Sequence, residues 1–180
     1  EHRSQIAMAV LDREALEAGV VDPAPLRPAV CVGQIIEHDQ FADGRYNILL
    51  HGVCRARIRS IEEPEDARLF RMGHLEPIED MTEEHPKLSR TRERLHELLT
   101  GPQLSRLRCV DTVLSWFDRE EVTTHALLEL VGFALVRDAD VRYALLAEPE
   151  VRTRARMIIR ELRYVDEMIA LFGEVKACRM

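Results

Sequence analysis

His51 and Cys54 stand three residues apart in the stretch DGRYNILLHGVCRARI, residues 43–58, which also sets glycines on either side of an apolar run. An arginine series, Arg55, Arg57 and Arg59, runs out of its end. A histidine near a cysteine suits a metal ion or an activated thiol, glycines suit a phosphate loop, and arginines suit a nucleic-acid stripe. Each of these chemistries needs companions. On a regular strand, residues at odd spacing face opposite sides, so His51 and Cys54 are expected not to share a ligand. Cys31 and His38 are too far apart along a strand, and Asp39 with Asp43 lacks the remaining oxygens of a calcium loop. Cys31, Cys54, Cys109 and Cys178 form no CxxC pair and are expected to be thiols in a reducing cytosol.

Other catalytic frameworks fail for want of residues. Lysine occurs only at Lys87 and Lys176. Lys87 lies two residues from Ser89, but in what reads as the exposed start of a helix, whereas a serine–lysine pair needs a buried lysine of depressed pKa. G-x-x-x-x-G-K-[ST], G-x-G-x-x-G, HExxH and G-x-S-x-G are all absent. The expectation is therefore no catalytic, cofactor-binding or metal-ligating residue, and no enzyme.

The elements that would position these residues change period part-way along the chain. From residue 6 to about 80, IAMAVL, AVCVGQII, RYNILLHGVCRARIRSI and ARLFRMGHL read as strands broken by turn residues. EALEAGVVDPAPLRP, with its three prolines, reads as a loop holding at most one helical turn. In the longest strand, Tyr46, Ile48, Leu50, Gly52, Cys54, Ala56 and Ile58 alternate with a mostly polar set that includes His51 and the three arginines; Leu49 and Val53 break the pattern. One apolar and one polar face predicts antiparallel sheet packed on one side. AVCVGQII, apolar on both faces, is expected to be covered on both.

After Pro77 the spacing becomes helical. Leu88, Leu95, Leu98 and Leu99 precede a Gly-Pro stop, LSRLRCVDTVLSWF carries a second stripe, and Thr123 or Thr124 is placed to cap THALLELVGFALV. DADVRYALLAE is shorter. Val151, Ala155, Ile158, Leu162, Val165, Ile169 and Phe172 mark the clearest helix, flanked by Arg152, Arg156, Arg160 and Arg163. Strands first and helices afterwards predict a segregated α+β fold, a β subdomain over residues 1–80 and a helical one over 81–180.

Composition narrows the partners. A net charge of −7 over 180 residues disfavours general affinity for phosphate backbones. No apolar run reaches the roughly 18–20 residues of a membrane helix, and EHRSQIAMAVLD lacks the features of a signal peptide. The missing initiator methionine leads us to expect a start further upstream.

The order PAVCVGQII (28–36), DGRYNILLHGVCRARI (43–58), a charged loop and RMGHLEPIED (71–80) resembles the N-terminal substrate-binding domain of Lon proteases. VRYALLAEPEVRTRARMIIREL, with Leu145, Leu146 and Arg154, is similar to that family's closing helices. The resemblance implies a PUA-like antiparallel β-barrel followed by an α-helical bundle, in a stand-alone bacterial and cytoplasmic member. It implies binding of unfolded or tagged polypeptides alongside a separate protease, with assembly into a homo-oligomer open. The family's first strand and short helix would precede IAMAVL, so an edge of the barrel is expected to lack its partner here.

Two surfaces are candidates for the partner. Phe41, in the loop HDQFADG, either tucks onto the sheet or offers an apolar contact. Arg55, Arg57 and Arg59 are expected to form an outward row, either a solvated face paired with nearby glutamates or an RNA contact. Few aromatics are present for stacking bases, which weighs against RNA. Phe70 and Met72 are expected in the core.

Overall fold

The computed structural model describes residues 5–65, 68–78 and 88–173. Lys87, Lys176 and Cys178 lie outside them. The chain forms two compact units, Glu1–Met81 and Thr82–Met180.

The first unit is a four-stranded antiparallel sheet in the order β1-β2-β3-β4, with β1 at Gln5–Met8, β2 at Ala29–Gln40, β3 at Tyr46–Glu62 and β4 at Met72–Pro77. The proline-rich connection from β1 to β2 holds one short helix, α1 (Arg13–Glu17), capped by Asp12 accepting from the Ala15 N–H at 3.1 Å. Arg71 ties this connection down, donating to the Ala24 carbonyl at 2.7 Å and to Glu63 at 2.8 Å.

The sheet is open, which corrects the expectation of a closed barrel. Among the described residues β1 and β4 are its two edges and do not pair. Closing a sheet needs more strands than four, because tilt and stagger must bring the last strand back to the first. β4 is also shorter than expected, and Phe70 and Met72 are exposed rather than core.

β2 and β3 form a long hairpin whose register shifts twice. Ile35 pairs with Leu50 and Glu37 with Leu49, leaving Ile36 as an extra residue on β2. Val32 pairs with Cys54 and Gly33 with Gly52, leaving Val53 as an extra residue on β3. Each bulge moves the side chains beyond it to the other side of the sheet. The apolar set expected on one face of β3 is therefore divided. Leu50 and Gly52 share a side with Ile35 and Gly33, whereas Cys54 and Ala56 share the opposite side with Val32 and Val30. Burial concentrates at the far end from the hairpin turn, where Ala29, Val30 and Ala56 are buried.

The second unit contains α2 (Ser89–Leu99), a 3-10 turn (Leu104–Arg106), α3 (Arg108–Leu114), α4 (Thr124–Leu135), α5 (Ala139–Ala147) and α6 (Val151–Phe172). Its core is the periodic leucines and valines, including Leu95, Leu99, Val110, Leu127, Leu128 and Leu162. LSRLRCVDTVLSWF is not one helix: Leu107 adopts an extended backbone, φ −80° and ψ 123°, and separates the 3-10 turn from α3. Thr123 caps α4, accepting from the Ala126 N–H at 3.2 Å.

Two arginines hold the helices in place. Arg92 of α2 donates to the carbonyls of Val122 at 2.7 Å and Phe117 at 2.5 Å, closing the α3–α4 connection. Arg154 of α6 is only 2% exposed and donates to the carbonyls of Glu148 and Pro149, both at 2.9 Å, just beyond the end of α5. Its Nε lies 3.6 Å from the Glu129 carboxylate on α4.

Candidate functional site

The hairpin tip is fixed locally. The Phe41 N–H donates to the Arg45 carbonyl at 2.8 Å, and the Gly44 N–H donates to the Phe41 carbonyl at 3.0 Å. Gly44 sits at φ 85°, a conformation that favours glycine. Asp43 accepts from the Arg45 backbone at 3.1 Å and from its guanidinium at 2.8 Å. The Arg45 side chain chiefly, helped by its N–H, holds the Asp43 carboxyl below the usual carboxylate range. This turn presents Phe41 half-open to solvent, with the Arg45 guanidinium 5.9 Å from its ring.

Phe41 is not alone. Ile36 is 60% exposed, Phe41 45%, Tyr46 52%, Ile48 47% and Leu49 53%, all in the turn-proximal half of the hairpin. Sequence reasoning singled out Phe41 and assigned most of the others to a buried face. The clue was present in Leu49 and Val53, the two residues that broke the alternation. Their departure from the pattern marks the neighbourhood of the bulges.

The arginine row is different from the expected one. Arg55 is 9% exposed, so it is no part of a solvent-facing strip. Arg59 falls at a third register shift, between the pairs Ile58–Leu75 and Ser60–His74, and its guanidinium forms an ion pair with Glu76. Arg57, opposite Ala29 and Glu76, is exposed. Nearby, His74 bonds Glu62 at 2.9 Å and lowers the Glu62 pKa.

The chemistry of His51 and Cys54 also needs revision. They pair with Gln34 and Val32, two residues apart on β2, so the Val53 bulge returns them to the same side of the sheet. The expectation of opposite sides assumed an unbroken strand. No cluster of three metal-capable side chains occurs among the described residues, and no disulfide joins Cys31, Cys54 and Cys109. No helix among them is long and apolar enough to cross a membrane.

In the second unit, the arginine flank of α6 faces a groove beside α2, lined by residues such as Leu88, Arg90, Arg152, Arg156 and Ile159. The flank arginines Arg152, Arg156, Arg160 and Arg163 are all exposed, and the α2 wall beside them is invisible to the spacing of one helix.

The family model for the ATP-dependent protease La (LON) substrate-binding domain matches residues 1–163. The chain belongs to the Lon substrate-binding domain family. Its fold is similar to the N-terminal domain of the Mycobacterium avium complex Lon protease, with a TM-score of 0.55 and 16% identity over 89% of this chain and 90% of that one. A Lon N-terminal domain protein from Xanthomonas campestris is also similar, with a TM-score of 0.46 and 18% identity over 87% of this chain and 89% of that one. No curated protein matches the chain significantly. In this Lon-family chain, an open antiparallel sheet is followed by several helices.

Proposed function

We propose that the protein binds exposed apolar segments of unfolded or tagged polypeptides and performs no catalysis itself. The observation that carries this reading is the exposure of Ile36, Phe41, Tyr46, Ile48 and Leu49 in the turn-proximal half of the hairpin, with Tyr46 and Ile48 on one side of the sheet and Leu49 on the other. Water around such side chains is displaced favourably by any apolar segment, at about 25 cal/mol per Å² buried, without a demand for one sequence. An unfolded chain offers such segments and a folded one hides them. The family description supports a substrate-binding role beside a protease, and the cytoplasm is the compartment in which we place it.

The same proposal keeps the PUA-like kinship implied by the resemblance but not its closed barrel, because β1 and β4 do not pair among the described residues. The outer edge of β1 is where a further strand would extend the sheet, and homo-oligomer assembly belongs to the proposal on the same footing. RNA binding through Arg55, Arg57 and Arg59 is disfavoured by the burial of Arg55 and the Arg59–Glu76 pair.

A pull-down with a reduced, permanently unfolded protein and with its native form tests the reading. Capture of the unfolded form alone, weakened in an Ile48→Asp variant, is expected. Equal capture of both forms, or of neither, contradicts it.

A further inference from the structure

The groove beside α6 has a chemistry that the hairpin lacks. Its wider part, about 610 Å³, has Leu88, Ala155 and Ile159 as apolar lining, with Arg90, Arg152 and Arg156 around them. A narrower part of about 420 Å³ shares Arg156 and Ile159 and continues past Arg160 and Arg163 to Tyr164 and Glu167. The groove therefore follows one flank of α6, from residue 152 to residue 167.

Charge is unevenly matched along it. Among the residues lining the two parts, five arginines face one carboxylate, Glu167. From outside the lining, Glu150 reaches Arg156 at 3.6 Å, but Glu150 is already engaged as the cap of α6 through the N–H groups of Arg152 and Thr153. In a protein of net charge −7, this is a local positive strip above an apolar floor.

The spacing selects a ligand. Arg152, Arg156 and Arg160 recur every four residues, about 6 Å apart along a helix. An extended polypeptide repeats its side chains on one side every ~6.8 Å. Carboxylates at every second position match such a row, and each arginine fork can hold one with charge-assisted hydrogen bonds. A single-stranded nucleic acid fits less well. Tyr164 is the single aromatic among the lining residues, and stacking platforms use several.

We infer that this groove seats an acidic, extended polypeptide segment, with glutamate or aspartate at alternate positions and an apolar side chain over Leu88, Ala155 and Ile159. The inference rests on the proposed polypeptide-binding role and gives it a second contact, one that reads charge.

Fluorescence anisotropy on the full chain tests it with three labelled probes: a six-residue peptide alternating glutamate and leucine, its glutamine counterpart, and an oligouridylate. At low salt the glutamate peptide is expected to bind about tenfold tighter than the glutamine peptide. Arg152→Glu/Arg160→Glu should abolish that preference, and Arg152→Lys/Arg160→Lys should keep most of it. Both positions are exposed, and circular dichroism verifies that each variant is folded. Equal affinity for the two peptides, an undiminished preference in the glutamate variant, or tighter binding of oligouridylate overturns the inference. If the preference is absent while a weakly charged unfolded protein still binds, the groove assignment alone fails. If the unfolded protein does not bind, the functional reading fails instead.

Discussion

Phe41 owes its position to the turn closed by Gly44 and Asp43, and its ring stands half-open to solvent beside the Arg45 guanidinium. Phe41→Ala should therefore weaken binding of an unfolded polypeptide about fivefold, the worth of roughly 1 kcal/mol of apolar contact, while leaving the thermal midpoint unchanged. Loss of stability without loss of binding would show that the ring is a packing element. Arg154 presents the opposite case. It is almost wholly buried and spans three elements through Glu129, Glu148 and Pro149. Arg154→Ala should cost about 3 kcal/mol, because it leaves carbonyls and a carboxylate without their cation. Urea denaturation reads this as a lowered midpoint, and an unchanged midpoint would contradict the clamp. Neither role could be read from residue type. An aromatic in a polar loop and an arginine in a helical flank each allow two positions, and only neighbours distant in sequence decide between them.

Among elements, α6 was the most legible. Twenty-two residues of regular spacing leave little freedom in which face is buried, and Val151, Ala155, Ile158, Leu162 and Ile169 all lie in the core as their spacing predicts. Phe172, the last of the series, is exposed. The strand β3 was legible as a strand but not in its facing. A bulge is one extra residue measured against a partner strand, so the sequence of β3 alone shows only that Leu49 and Val53 are out of phase. For the same reason the side shared by His51 and Cys54 was misread. The start of α6 gives an element-scale prediction. The Glu150 carboxylate accepts from the Thr153 hydroxyl and from two backbone N–H groups, and the Thr153 hydroxyl bond is the main cause of its lowered pKa. A carboxyl whose folded pKa is depressed stabilises the fold above the ordinary glutamate range, and that contribution is lost as pH falls through the lowered value. The difference in unfolding midpoint between wild type and Glu150→Gln should be greatest near neutral pH and shrink on acidification. A difference that grows on acidification would contradict this.

For the whole molecule, the order of strands before helices was readable because periods of two and 3.6 residues are distinct over long stretches. Barrel closure was not, since it depends on pairings at the two sheet edges, and the described residues leave both edges open. Net charge was a poor guide to surfaces: a chain of −7 still gathers arginines along α6, where α2 supplies the other wall. The central claim is that the molecule distinguishes unfolded from folded polypeptide by apolar contact. Calorimetric titration of the full chain with a permanently unfolded protein, and with the native form of the same protein, tests this most directly. Binding of the unfolded form alone, with the negative heat-capacity change of apolar burial, is the predicted result. Equal binding of both forms, or binding without that heat-capacity change, would contradict it.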